Sequence, residues 1–295
     1  MSKTLGRRAV LGTALGLFLI PAGDVDAQRE IREQRIGDAF TVLSPDEGSG
    51  NTIVFRGTDG TFLVDTMADS ISTDLLAALD GLGVDDVRYI ANTHWHQNHL
   101  GGNDDLSPTA VVIGPATLRA RLQTDQTLEF LVDQTFPALP EPFWPSVTYD
   151  DAVALHFNDE RIEIVHVRAH TDSDAIVVWP ESRVAATGDL WTPTGWMVPD
   201  IDTGGSLAGV ATALTTLLER LPADAVIVPG HGRPGTRDEL ARYVSVVQAT
   251  VDYVRLAMDA GRDLRQIIDE APPDVTDPLG AAAPRMLEAA YRGGG

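Results

Sequence analysis

Four times along this chain of 295 residues an apolar run ends and a metal-ligand side chain follows. Val87 to Ala91 leads into Thr93-His94-Trp95-His96-Gln97-Asn98-His99, and Arg161 to Arg168 leads to His170. Arg183 to Ala186 precedes Asp189, and Ala225 to Val228 leads into Pro229-Gly230-His231-Gly232. Short runs rich in β-branched residues and bounded by turn residues read as strands. Loops leaving strand ends are where sheet-based folds carry their chemistry. Random placement would rarely put a ligand there four times, so the chain is constrained toward a sheet-based fold with a metal site at its strand ends.

The remaining pattern agrees. Asp38 to Leu43, Thr52 to Arg56 and Thr61 to Val64 read as strands, and Asp69 to Leu82 as a helix with Ile71, Leu75, Leu76 and Leu79 on one side. Val153 to Phe157 with Arg161 to Arg168, and Ala175 to Trp179 with Arg183 to Ala186, form hairpins. Leu207 to Leu221 and Arg237 to Ala260 are helices, and Leu264 to Ile268 is a short one. Residues Phe130 to Pro145, rich in Phe, Pro and Trp without period, read as an irregular insert. Strands dominate each half and helices close it, which predicts sheets packed together with helices outside.

The chemistry follows from residue type. Imidazole suits zinc, and three neutral nitrogens leave a coordination position for water. Thiolate ligands, thiolate nucleophiles and disulfides are excluded because the chain has no cysteine. Lys3 is the only lysine, which argues against a Schiff base. A formal charge of -21 opposes nucleic acid and anionic membrane surfaces as partners, so a small-molecule substrate is expected. His156 and His166 fit no ligand position, and His166 shares strand parity with Ile162 and Ile164, as a satisfied buried histidine would. Trp95, Trp191 and Trp196 are candidates for an apolar pocket wall, with ordinary packing as the competing reading. Oligomeric state is not legible.

With these residues in view, the pattern resembles the metallo-β-lactamase superfamily across nearly the whole chain after residue 27. Asp65 follows Phe62-Leu63-Val64 as the family's first motif does, residues 94–99 resemble its His-x-His-x-Asp-His motif, and His170, Asp189 and His231 fall in order as the remaining three. The resemblance implies an α/β fold, a four-layer αββα sandwich of two mixed β-sheets flanked by helices. It implies that His94, His96 and His170 hold a first zinc, that His99 and His231 hold a second, and that Asp189 bridges them. Asp65 would orient a ligand from behind, and metal-activated water would attack an ester, lactone, thioester or β-lactam carbonyl. Asn98 departs from the pattern, which has Asp there as a ligand of the second metal and partner of the attacking water. An amide is a weaker, uncharged ligand, so the second Zn2+ site is expected to be weakened. Two alternatives follow: a mononuclear iron oxygenase resembling the persulfide dioxygenases, and a catalytically impaired metal-binding protein of the same fold.

The N-terminus carries an address. Arg7-Arg8 precede an apolar run from Ala9 to Ile20, and small residues around Val25-Asp26-Ala27 suit cleavage. Residues 1–27 read as an export signal resembling the twin-arginine type, too short to span a bilayer. Residues 28–295 then form one domain, periplasmic or secreted and without stable membrane insertion.

Overall fold

The computed structural model describes residues 30–45 and 48–294, so the export-signal reading of residues 1–27 lies outside the described residues. Two mixed sheets face each other. The first is built from β1 (Ile31–Ile36), β2 (Phe40–Pro45), β3 (Thr52–Gly57), β4 (Gly60–Val64), β5 (Val87–Ala91) and β6 (Val111–Pro115). After a small hairpin of β7 (Gln126–Leu128) and β8 (Gln134–Phe136), β9 (Val147–Tyr149) completes it at the edge. The strands up to β4 pair antiparallel, and β4, β5, β6 and β9 pair parallel. The second sheet runs β10 (Ala152–Phe157), β11 (Glu160–Val167), β12 (Asp174–Trp179), β13 (Val184–Gly188), β14 (Val226–Pro229) and β15 (Gly235–Thr236). There β13 pairs parallel with β14, and the other neighbouring strands pair antiparallel.

Side-chain alternation, with its period of two, assigns each face. Along β3, Ile53 and Phe55 enter the layer between the sheets while Val54 turns outward; along β12, Ala175, Val177 and Trp179 point in while Ile176 and Val178 point out. The middle layer is centred on Trp179, whose ring meets Phe40, Phe55 and Phe62 edge-on at 5.3, 6.0 and 6.0 Å. On the first sheet's outer face lies α1 (Ser72–Gly81), burying Leu75 and Leu79 against Val54, Leu63 and Ile90. The short helices α2 (Asn103–Leu106) and α3 (Ala116–Leu122) follow β5 and β6. On the second sheet's outer face lie α4 (Leu207–Arg220) and α5 (Arg237–Asp259), then α6 (Leu264–Asp269), α7 (Pro273–Leu279) and α8 (Ala283–Arg292). Helix, sheet, sheet, helix is the layering the sequence predicts. Among the described residues no helix is long and apolar enough to cross a membrane.

Local chemistry explains the boundaries. The β10–β11 turn places Asn158 and Asp159 at φ 55° and 59°, the left-handed pair a tight hairpin requires and that Asn and Asp tolerate. A capping box at Thr236 and Glu239 starts α5. Residues Phe130 to Pro145 are less irregular than expected. The β7–β8 pair and a 3-10 turn at Glu141–Phe143 order them, because Leu128, Phe136 and Phe143 bury against Trp95, Leu100, Leu118 and Leu122.

Candidate metal centre

Every ligand-type residue singled out above sits at one edge of the two sheets. Parallel pairing puts the carboxyl ends of β4 and β5 side by side, so Asp65 and the 94–99 loop emerge together. Parallel pairing of β13 and β14 does the same for Asp189 and His231. Two antiparallel steps make β11 parallel to β13, so His170 leaves from the same edge.

Two groups result. His94, His96, His170 and Asp189 each offer an atom within 4.8 Å of the others, and so do His99, Asp189 and His231. Asp189 belongs to both. Its Oδ2 is 3.9 Å from His94 Nε2 and 3.5 Å from His231 Nε2, and its Oδ1 is 3.4 Å from His99 Nε2. Gly230 is required for that approach, since a Cβ there would fall 2.1 Å from Asp189 Oδ1.

The hydrogen bonds behind the rings choose their tautomers. Asp65 Oδ2 accepts from Thr93 Oγ1 at 2.7 Å and lies 2.9 Å from His99 Nδ1, while its Oδ1 accepts from the Thr93 amide. Thr93 Oγ1, having donated, can accept from His94 Nδ1 at 3.1 Å. Asp200 Oδ2 lies 3.1 Å from His96 Nε2. With those nitrogens carrying protons, His94 Nε2, His96 Nδ1 and His99 Nε2 present lone pairs to the groups.

Three observations make the set fit a cation. Ring nitrogens crowd against each other, at 3.3 Å for His170 Nε2 and His96 Nδ1 and 3.2 Å for His99 Nε2 and His231 Nε2, so each pair has room for at most one proton. Among the described residues, His94 Nε2 and Asp189 Oδ1 are buried without a hydrogen-bond partner, an arrangement that costs stability unless something positive satisfies them. The electrostatics point the same way. Burial, reinforced by neighbouring imidazoles, holds His94 well below its usual range and His170 at about 4, so both stay neutral. Burial also disfavours a charged His99, but Asp189 and then Asp65 overcome it and lift it to about 10. Burial works against the Asp189 carboxylate too, yet His231 and His99 keep it well below the ordinary range. The second group therefore favours positive charge beside a permanent carboxylate.

A family model described as the metallo-beta-lactamase superfamily matches residues 45–231. The chain belongs to that superfamily. Solved structures share its fold at low identity. A metallo-beta-lactamase from Pontibacter korlensis is 18% identical with TM-score 0.59, over 74% of this chain and 99% of that one. A Cronobacter sakazakii metallo-beta-lactamase with a HARLDQ motif is 16% identical with TM-score 0.63, over 80% and 98%. The stereoselective inverting sec-alkylsulfatase Pisa1 from Pseudomonas sp. is 15% identical with TM-score 0.66, over 89% of this chain and 50% of that one; this chain spans about half its length.

Other sequence expectations fare differently. Asn98 is half-buried beside the second group, its Nδ2 3.2 Å from His231 Nε2. Trp95 and Trp191, candidates for a pocket wall, are each at most 2% exposed, which favours the packing reading. Large rings beside the ligands find burial instead, Trp95 against Leu118 and Leu122 and Trp191 among the helices of the second sheet. Trp196 is half-buried and stacks on Tyr243 at 4.8 Å. His156 is exposed, and both ring nitrogens of half-buried His166 lie within 2.8 Å of backbone carbonyls. Sequence reasoning missed Asp200 and Asn51, whose Nδ2 donates to Pro229 O and Gly232 O and holds the His231 loop. Neither directly ends a strand, so the pattern that exposed the ligands could not expose them.

Proposed function

We propose that this protein is an exported zinc-dependent hydrolase of the superfamily, acting on an ester, lactone, thioester or β-lactam carbonyl of a small molecule in the periplasm or outside the cell. The observation that carries the reading is the pair of ligand groups sharing Asp189. Neutral imidazoles with one carboxylate are the donor set zinc prefers. His94, His96 and His170 would hold the first ion, His99 and His231 the second, and Asp189 both. An ion bound there would polarise a carbonyl and bring the pKa of a water ligand down to about 7.

The chain's own residues do the rest. Asp65, Thr93 and Asp200 fix the tautomers and aim the lone pairs. Asp189, held as a carboxylate, can accept a proton-bearing water's hydrogen bond without taking its proton. Asn98 supplies an amide where the superfamily pattern has an acid, so it can orient a water or a substrate oxygen by hydrogen bonding but brings no charge. That neutral residue beside the second group also supports a second reading: a protein working with one ion, iron included, in the first group.

The test is metal analysis of the purified protein together with turnover of a panel of lactones, thioesters, aryl esters, cephalosporins and a secondary alkyl sulfate. Zinc with hydrolysis of a carbonyl substrate supports the proposal. Iron with no hydrolysis moves the reading to the oxygenase. Bound zinc with silence across the panel moves it to a binding role.

A further inference from the structure

We propose that Arg121 is a positioning residue for the first metal group, acting on His170 through Asp172 and on His96 through the turn at residues 201–203. The inference rests on the reading of His170 and His96 as ligands. A ligating histidine is normally aimed by a hydrogen bond on its other ring nitrogen. His94 has Thr93 and His96 has Asp200. Among the described residues His170 has none: its Nδ1 is buried and without a partner there. With no hydrogen bond on Nδ1, the aim of its ring depends on the backbone that carries it.

That backbone is tightly tied. His170 O accepts from Asp200 N at 2.7 Å, and Asp172 N donates to Thr203 O at 3.1 Å. The Asp172 carbonyl lies 2.8 Å from His166 Nε2. The Asp172 carboxylate takes both arms of Arg121, Nε to Oδ1 at 3.1 Å and Nη2 to Oδ2 at 2.7 Å. Nη2 also donates to Thr203 O at 3.1 Å. Thr203 Oγ1 in turn donates to the Asp200 carboxylate, the group that holds His96 Nε2. One guanidinium thus joins both loops behind the first group. It is itself fixed by Gln126, whose Oε1 accepts from Nη1 at 3.0 Å and whose Nε2 donates to Arg121 O at 2.9 Å. A planar fork with fixed donor angles can make these contacts together, whereas an ammonium cannot. His99 and His231 are tied elsewhere, to Asp65 and through Asn51.

The test uses the full chain in a His231→Ala background, which leaves the first group complete. Zinc affinity is measured by chelator competition, and the visible spectrum is recorded with cobalt. Arg121→Gln and Asp172→Asn are each expected to weaken zinc binding about 10–100-fold and to shift the cobalt bands. The double variant should weaken it no further than Arg121→Gln alone, because that substitution already removes both the ion pair with Asp172 and the bond to Thr203 O. Arg121→Lys should recover only part of the loss. The melting temperature of the metal-free protein reports any general damage, and if Arg121→Gln does not fold, Asp172→Asn carries the test. Affinity and spectrum unchanged from the parent, or weakening no greater than in the surface control Arg255→Gln, would overturn the proposal. His170→Ala separates the two levels: if it leaves affinity unchanged, the ligand reading itself fails; if it abolishes binding while Arg121 and Asp172 variants bind normally, only the positioning role fails.

Discussion

Replacing Asn98 by aspartate should tighten the second metal while loosening the metal-free fold. The side chain is half-buried and its Nδ2 is 3.2 Å from His231 Nε2, so a carboxylate in its place would reach the lone pairs of that group. A unit charge about 4 Å from a dication is worth on the order of 8 kcal/mol at an effective dielectric of about 20. Desolvation of the new carboxylate offsets much of that. A net gain of about 1.5–3 kcal/mol, or about 10–100-fold in affinity, remains. Without metal the sign reverses, because the new charge sits near Asp189 with only His99 and His231 to neutralise both. Chelator competition with zinc and melting curves with and without metal measure the two effects. The expected result is a variant that melts below the parent when stripped and above it when loaded. Two zincs held equally tightly by the parent and by Asn98→Asp would refute the reasoning.

Three further outcomes follow from the site and its surroundings. Gly230→Ala forces a methyl to within 2.1 Å of Asp189 Oδ1; the strain of about 1–3 kcal/mol should appear as weaker metal binding and lower activity in isothermal titration and turnover assays, and unchanged affinity would count against Asp189 as a shared ligand. Asp65→Asn keeps a residue that tolerates the local φ of 58° but loses acceptors for His99 Nδ1 and Thr93 Oγ1; a loss of about 2–4 kcal/mol in urea unfolding is expected, and no loss would mean those contacts do not form. Glu239 is held at about 2 chiefly by its hydrogen bond from Arg233 and then by the Thr236 amide; its stabilisation is complete above an ordinary carboxyl pKa of 4.5 and fades as pH falls toward 2. Glu239→Gln should therefore unfold at lower urea than the parent at pH 7 and match it near pH 2.

The fold and the candidate ligands were legible for the same reason. Strands buried on both faces, such as Val226–Pro229, write themselves as apolar runs, and a His or Asp directly after one stands out. Register and pairing follow from alternation, as at Ile53, Val54 and Phe55. The C-terminal helices were harder to read. Pro273, Pro278 and Pro284 look like breakers, yet Pro273 and Pro284 occupy first-turn positions, where the missing N–H is harmless. The tryptophans stayed open between pocket wall and packing because adjacency in sequence to a ligand-type residue says nothing of which way a ring turns. Asp200, Arg121 and Asp172 make their contacts between segments far apart in sequence, His96 with Asp200 across 104 residues and Arg121 with Asp172 across 51, and no local spacing encodes those.

Neither sheet owns a complete ligand group. His94, His96 and His99 come from the first sheet, and His170, Asp189 and His231 from the second. A bound ion would act as a rivet through both plates, resisting their separation at the edge where the loops meet. It also sets a schedule for biogenesis. A nascent chain has no complete first group until residue 189 is made and no second until residue 231, so capture of the ion must wait until most of the chain exists and its two halves have closed on each other.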